Sequence, residues 1–299
     1  MTTILLSGKN GQVGWELQTA LSRLGPVIAL DRGGMDLANP DSIRRAIRDA
    51  EPQIIVNAAA YTAVDKAETE PDLAMQVNGI APGVMAQEAK RLRAVLVHYS
   101  TDYVFDGTKK QPYVEDDPPN PLSQYGRSKL AGEQAIASSG ATHLIFRTSW
   151  VYAARAHNFL RTILRLARER NELRIVNDQV GAPTWARFIA EATAQVLRQV
   201  GDGHKPIADH AGIYNLTGTG AVSWYGFASA VFAEAKAQLG VTPPKLIPIT
   251  TAEYPLPARR PANSRLDNSR LVATFGLTPP PWDKMLKLCM KEIASPVTG

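Results

Sequence analysis

Short apolar runs alternate with amphipathic stretches through the first half of the chain. Ile4-Leu5-Leu6 predicts a buried strand, and Val13, Leu17, Leu21 and Leu24 then share one helical face until Gly25-Pro26 stops it. Val27-Ile28-Ala29-Leu30 predicts a second strand, Ile43, Ala46, Ile47 and Ala50 a second helix, and Ile54-Ile55-Val56 a third strand. The segment from Pro71 to about Arg91 reads as one helix, with Pro71 suited to its first position. Val95-Leu96-Val97 is the fourth strand, Phe105 to Leu122 a loop rich in Pro, Gly and Asp, and a helix from near Tyr125 to about Ser138 leads to the strand His143–Phe146. Alternation of this kind predicts βαβ units, and strands covered on both faces should be almost wholly apolar, as these are. The fold class is therefore α/β, a doubly wound parallel sheet over residues 1–150. Beyond Trp150 helices near 158–170, 184–199 and 223–239 are separated by short strands and Pro-rich loops. That region, 151–299, predicts a smaller C-terminal α/β lobe for substrate, with some later segments free to return to the sheet.

Composition narrows the function classes. A chain of 299 residues with 44% hydrophobic and 20% charged residues has enough apolar material for a sizeable core. The formal net charge is +5, but the basic residues are scattered, which argues against a nucleic-acid partner. The lone cysteine, Cys289, excludes an internal disulfide framework and a cysteine-based zinc site. The opening Met1-Thr2-Thr3 runs straight into an apolar strand with no basic region or cleavage site, and no apolar run is long enough to cross a bilayer. A cytoplasmic protein with no membrane partner is expected.

Gly8-Lys9-Asn10-Gly11-Gln12-Val13-Gly14 joins the first strand to the first helix. Glycines there let a backbone approach a pyrophosphate, which the helix N-terminus then meets with free N–H groups and a favourable dipole. A spaced glycine triplet alone is equally well a tight turn. Its place between strand and helix favours a Rossmann dinucleotide turn. Asp31, at the end of the second strand, is placed to bind adenosine ribose hydroxyls, whereas Arg32 beside it suits a 2′-phosphate. The pair leaves NADH and NADPH both open. Asp36-Leu37 lies where the adenine would border the protein.

Tyr125-Gly126-Arg127-Ser128-Lys129 sets a phenol and an ammonium on one helix face. The lysine charge is expected to lower the tyrosine pKa, and a poised tyrosine protonates a carbonyl oxygen as hydride reaches the carbonyl carbon. Such a pair arises by chance on many solvated helix faces. Here it accompanies the glycine turn and a polar strand end, Ser100-Thr101-Asp102-Tyr103-Val104-Phe105, where ligands bind in open α/β sheets. Thr101 is placed to give the carbonyl a second hydrogen bond and Asp102 to hold a sugar hydroxyl.

The chain resembles the extended short-chain dehydrogenase/reductases, and within them the dTDP-4-dehydrorhamnose reductases. The resemblance rests on Gly8–Glu16, Asn57–Asp65, Ser100–Phe105, Phe146-Arg147-Thr148-Ser149-Trp150-Val151-Tyr152, Asn177–Thr184 and Ala258–Ser264, spread over nearly the whole chain. It implies reduction by NADPH, with NADH possible, of the C4 ketone of dTDP-4-dehydro-β-L-rhamnose, the last step of a deoxysugar supply for cell-surface polysaccharide. By position it implies that Gly8, Gly11, Gln12, Val13 and Gly14 meet the pyrophosphate, and that Asp31, Arg32, Asp36 and Leu37 meet the adenosine side. Ala58, Ala60, Tyr61 and Thr62 would line the cofactor, which Tyr125 and Lys129 also touch. Tyr125, Lys129 and Thr101 would carry catalysis, and Thr101, Asp102, Tyr103 and Trp150 would meet the dTDP-sugar. Arg259 or Arg260 would suit its diphosphate by charge. Some members form a homodimer linked by Mg2+ through glutamates. Glu16 fits one such position, but Arg187 stands where another acid is expected, with Glu191 close by.

Two rival readings remain open. A sugar-nucleotide dehydratase or epimerase shares the glycine turn and the Tyr/Lys pair but keeps its NAD. A dehydratase of this type carries Thr-Asp-Glu, whereas here Tyr103 follows Thr101-Asp102, so the second carboxylate for elimination is missing. A non-catalytic NADP-binding subunit, similar to the regulatory subunit of methionine adenosyltransferase, is the other; the complete Tyr125, Lys129 and Thr101 set argues against it.

Overall fold

The apolar runs of the first half become strands of one parallel sheet in the computed structural model, which describes residues 2–201 and 207–295. In chain order the elements are β1 (Ile4–Ser7), α1 (Gln12–Leu21), β2 (Val27–Leu30), α2 (Pro40–Ala50), β3 (Ile54–Asn57), α3 (Pro71–Met75), α4 (Ala81–Leu92), β4 (Val95–Thr101), α5 (Gln124–Ser139) and β5 (His143–Thr148). There follow β6 (Val151–Tyr152), α6 (Phe159–Leu166), β7 (Glu172–Val176), β8 (Val180–Gly181), β9 (Thr184–Trp185), α7 (Ala186–Gly201), β10 (Gly212–Asn215), β11 (Val222–Ser223), α8 (Trp224–Leu239), β12 (Lys245–Ile249), α9 (Ser269–Phe275) and α10 (Trp282–Ala294).

The sheet order is β10-β5-β4-β3-β1-β2, and each pairing is parallel. Because β2 and β3 flank β1 on opposite sides, the winding reverses between β1 and β3, and the ligand crevice opens beyond the C-terminal ends of those strands. Alternate strand residues feed two cores, as the two-residue repeat of a strand requires. Ile4, Leu6, Val56, Val97, Leu144 and Phe146 pack with Leu17 and Leu21 of α1, Ile189 and Val196 of α7, and Phe275 of α9. Leu5, Ile55, Leu96 and Ile145 face Ile43 and Ile47 of α2, Met85 of α4 and Ile136 of α5. Two segments from beyond residue 150 thus join the sheet layer: β10 extends its edge and α7 covers one face.

A third core, around Tyr152, Leu160, Phe227, Val231, Leu286 and Cys289, holds α6, α8 and α10 together. The small pairs β7–β12, β6–β9 and β8–β11 border it. The helix expected from Pro71 to Arg91 is not continuous. A π-helical turn, Gln76–Ile80, separates α3 from α4. Pro82 has no N–H to return to the carbonyl four residues back, so the regular ladder fails there. No helix among the described residues is long and apolar enough to cross a membrane.

Candidate active site

The glycine turn is as tight as its sequence demands. Gly8 has φ +76°, and a Cβ on Gly14 would stand 2.0 Å from the Gly8 carbonyl oxygen. Only glycine permits both the left-handed turn and so close a helix start. At the start of α1 the cap residue Gly11 has no side chain to occupy the first N–H groups, and the buried Gln12 Oε1 has no hydrogen-bond partner among the described residues. The uncapped backbone N–H groups and the dipole at that point suit a pyrophosphate; the Gln12 Oε1 is an acceptor and adds nothing to that. Val13 and Leu37 instead turn into the two cores, so their side chains serve packing. Asp31 accepts from the Gly33 and Gly34 N–H groups and pairs with Lys9 at 3.1 Å. The Lys9 hydrogen bond, with that of Gly34, holds its carboxyl below the usual range. Arg32 is mostly exposed and reaches Asp36 at 3.5 Å. Two cations, Lys9 and Arg32, thus flank the strand end where the sequence singled out only Arg32.

Asn78, in the π-helical turn, fixes the loop after β3. Its Oδ1 accepts from the Tyr61 N–H at 2.8 Å, and its Nδ2 donates to the Tyr61 carbonyl and to Ser128 Oγ on α5. The segment Ala58 to Thr62 is thereby tied to the helix that carries Tyr125 and Lys129. The Tyr61 phenol donates to Glu70 at 2.6 Å, and that bond pushes its pKa up to about 12. Nothing in the sequence marks Asn78; only its backbone partners reveal it.

Ser123 caps α5 by accepting from the Gly126 N–H, which starts the helix in the register that turns Tyr125 and Lys129 inward. The Tyr125 ring meets Tyr103 edge to face, with centroids 5.4 Å apart. Burial first, and then the Asp102 charge, raise the Tyr125 pKa above its ordinary value, while Thr101 pulls the other way. The expected lowering by Lys129 is therefore corrected: the lysine, buried at 2% exposure, turns its amine to the carbonyl of Tyr99 at 2.6 Å and to His98 Nε2 at 3.1 Å. Burial pulls that amine down to about 8, with Glu133 opposing.

Thr101 donates to Asp102 Oδ1 at 2.9 Å and accepts from the Tyr103 N–H. Asp102 is buried, which raises its pKa to about 6, although Ser264 and Thr101 favour the charged form. Its Oδ2 and the Ser100 hydroxyl make no hydrogen bond of regular geometry among the described residues. Buried acceptors and donors of this kind, at a strand end, are what a polyhydroxyl ligand satisfies.

Further along, Trp150 adopts φ +49°, a strained conformation for a bulky residue, and stacks on Trp224 with centroids 3.6 Å apart. Gly181 lies against the same ring. Trp224 was not singled out by sequence; its signal is tertiary. Arg260 does not offer a free guanidinium. It grips Asp65 through both terminal nitrogens, at 3.1 and 2.8 Å, and also donates to the Ala258 carbonyl. Arg259 beside it is exposed.

Glu16 lies apart from this crevice. It is 8% exposed and accepts from Arg187 Nε at 3.0 Å, while Arg187 Nη2 reaches Glu292 at 2.9 Å. The guanidinium occupies the place between two carboxylates that a divalent cation would need, and no group of three or more metal-ligating side chains occurs among the described residues. With the guanidinium in place these residues do not fit Mg2+; Glu191 makes no ion pair with Arg187 among those described but adds its charge to that of Glu16 and Glu292 around it.

Comparison with known proteins places these features in a family. The model of the RmlD substrate binding domain family matches residues 1–295. A dTDP-4-dehydrorhamnose reductase of Burkholderia thailandensis is 51% identical over 295 residues, 98% of this chain and 99% of its own. The crystal structure of a dTDP-4-dehydrorhamnose reductase from Clostridium acetobutylicum superposes with a TM-score of 0.89 at 36% identity, covering 98% of this chain and 100% of that one. That of the Bacillus anthracis dTDP-4-dehydrorhamnose reductase in complex with NADP has a TM-score of 0.86 at 33% identity, covering 97% and 99%.

Proposed function

The chain belongs to the RmlD substrate binding domain family, and we infer from that membership that it reduces the C4 ketone of dTDP-4-dehydro-β-L-rhamnose to dTDP-β-L-rhamnose, using a nicotinamide dinucleotide. The observation that carries this reading is the agreement of a near full-length relative of that activity with a strand end at which Thr101 and Asp102 are buried beside the half-buried Tyr125. NADP is the cofactor bound in the Bacillus anthracis relative. For this chain we propose NADPH as the favoured form with NADH accepted, because Lys9 and Arg32 both flank Asp31.

The dinucleotide would be held by Gly8, Gly11, Gln12 and Gly14 at its pyrophosphate, by Asp31 with Lys9 and Arg32 at its adenosine ribose, and by the Ala58–Thr62 loop. When bound it supplies the hydride. Tyr125, whose raised pKa keeps its proton at neutral pH, gives that proton to the ketone oxygen. Thr101 steadies the same oxygen, and releases its bond to Asp102 to do so. Asp102 Oδ2 accepts a sugar hydroxyl. Lys129 supplies positive charge behind the phenol as the proton leaves. Trp150, backed by Trp224, offers an apolar face to the sugar nucleotide. Arg259, not the engaged Arg260, is the candidate for its diphosphate. We assign residues 1–150 to the dinucleotide, together with β10 and α7, and most of residues 151–299 to the dTDP-sugar.

A dehydratase or epimerase would need a retained NAD, and a regulatory subunit would bind NADP without turnover. Oxidation of NADPH against a panel of nucleotide-linked 4-keto sugars separates them. Net oxidation with the dTDP-linked 4-keto-6-deoxysugar is the expected result; NADP binding without oxidation of any of them would contradict it.

A further inference from the structure

A buried polar chain runs under the crevice from the glycine turn to the catalytic helix. Ser7, the last residue of β1 and the one before Gly8, donates to Asn57 Oδ1 at 2.6 Å. Asn57 ends β3 and touches His98 Nδ1 through its Nδ2 at 3.0 Å. His98, on β4, touches the Lys129 amine through Nε2 at 3.1 Å. All four residues are between 1% and 2% exposed. None of Ser7, Asn57 or His98 is used by the reduction as described above.

Counting protons along this chain fixes the tautomer. Asn57 Oδ1 accepts from the Ala59 N–H at 3.3 Å as well as from Ser7. A backbone N–H can only donate, so the oxygen of the amide faces Ala59 and the NH2 faces His98. His98 Nδ1 must then accept, and the ring proton sits on Nε2, pointing at Lys129. An Nε2–H opposite an ammonium is a donor against a donor. The contact is satisfied when Lys129 is an uncharged amine with a lone pair, still donating to the Tyr99 carbonyl. To take on its proton comfortably, Lys129 needs the Nδ1–H tautomer of His98. That in turn needs Asn57 to turn its amide over, leaving the Ala59 N–H, which belongs to the cofactor-lining loop.

We infer that His98 is a positioning residue for the reduction, which opposes the charged form of Lys129 through its Nε2–H and links that charge, by way of Asn57, to the backbone beneath the glycine turn. The inference rests on the reading of Lys129 as the cation behind Tyr125. Other charged and titratable groups around the amine do not reproduce the effect. On α5, Tyr125 stands one turn before it, and Glu133 one turn after is held by Arg147 of β5. Asp102 and Tyr103 lie on the Tyr125 side. From β4 the groups are His98 itself and the Tyr99 carbonyl. Burial holds the imidazole neutral, its pKa well below the ordinary value, so the ring acts through its tautomer and not by taking a second proton.

Two measurements test this. The first is the tautomer of His98 in the full-length protein without cofactor, read from two-bond 15N–1H correlations of 15N-histidine-labelled protein above pH 8. The Nε2–H form is expected; the Nδ1–H form would overturn the inference. The second is the alkaline limb of the pH profile of kcat/KM, which reports the free enzyme. In His98→Gln the amide can turn its oxygen to the amine and accept from an ammonium, so the limb should move up by roughly one pH unit, a tenfold change in the ionisation constant. A His98 that merely fills space would lower kcat without moving the limb, and an unmoved limb contradicts the inference. Should Lys129→Ala retain full turnover, the catalytic reading fails instead, and the tautomer measurement still decides the proton arrangement.

Discussion

Thr101 Oγ1 donates a hydrogen bond to Asp102 Oδ1 across 2.9 Å, in a pocket where the aspartate is only 3% exposed. Burial raises the Asp102 pKa from 3.8 to about 6. The sign follows directly. The folded state binds this proton more tightly than the unfolded chain, so its contribution is fully present below pH 3.8 and is lost as pH rises through 6. A buried charge at neutral pH therefore weakens the fold, by up to about 3 kcal/mol for a shift of this order.

Asp102→Asn keeps the acceptor for Thr101 and removes that charge. Its melting temperature should exceed that of the unaltered protein at pH 7.5, with the difference vanishing near pH 4, while turnover falls. A lower melting temperature at pH 7.5 would show that the carboxylate is held favourably. Stability given up at a reacting centre is a common cost of function.

Tyr125→Phe retains the ring packed on Tyr103 and deletes the proton donor. Turnover should drop by about 10²–10⁴-fold, the usual worth of general acid catalysis, with melting temperature and NADPH affinity nearly unchanged. Lys129→Ala should lose both turnover and cofactor affinity, and Thr101→Val should be the mildest. Steady-state kinetics with parallel cofactor titration distinguishes this order from its reverse.

Much of this architecture can be read from the chain because parallel strands are buried on both faces and so appear as bare apolar runs. Ile4-Leu5-Leu6 and Ile54-Ile55-Val56 both lie in the sheet where their sequence puts them. The glycine turn and Tyr125–Lys129 are legible for a similar reason, since each sits within one local element. What escapes is set by distance along the chain. Arg260 reads as a free cation until Asp65, 195 residues away, closes on it. Asn78, Lys9 and Trp224 are ordinary residues until a loop, a strand end or a second indole meets them. The helix α10 went unpredicted although its buried residues Met285, Leu286, Cys289 and Met290 recur at helical spacing.

The buried pair Arg147–Glu133 joins β5 to α5 through two hydrogen bonds of 2.9 and 2.6 Å, both side chains being 2% exposed. Removing one partner strands the other charge in the interior, which costs about 3–5 kcal/mol. Glu133→Ala should therefore unfold at markedly lower denaturant concentration. A midpoint within error of the unaltered protein would mean that the pair contributes nothing net.

Glu16, Arg187 and Glu292 carry a different expectation. With the guanidinium already between the carboxylates, chelation of divalent cations should change neither the melting temperature nor the oligomeric state seen by light scattering. In Arg187→Ala the two acids lose their counter-ion, and added Mg2+ should then raise the melting temperature. Loss of assembly or stability on chelation of the unaltered protein would contradict this.

The central claim is net hydride transfer to C4 of a dTDP-linked sugar with proton delivery by Tyr125. It is tested most directly with NADPH deuterated at the transferable position and dTDP-4-dehydro-β-L-rhamnose, followed by NMR of the product. The account predicts dTDP-rhamnose carrying deuterium at C4, formed one for one with NADP+, and a rate reduced by about 10²–10⁴-fold in Tyr125→Phe. Product without deuterium at C4, or a Tyr125→Phe rate close to that of the unaltered enzyme, would contradict it.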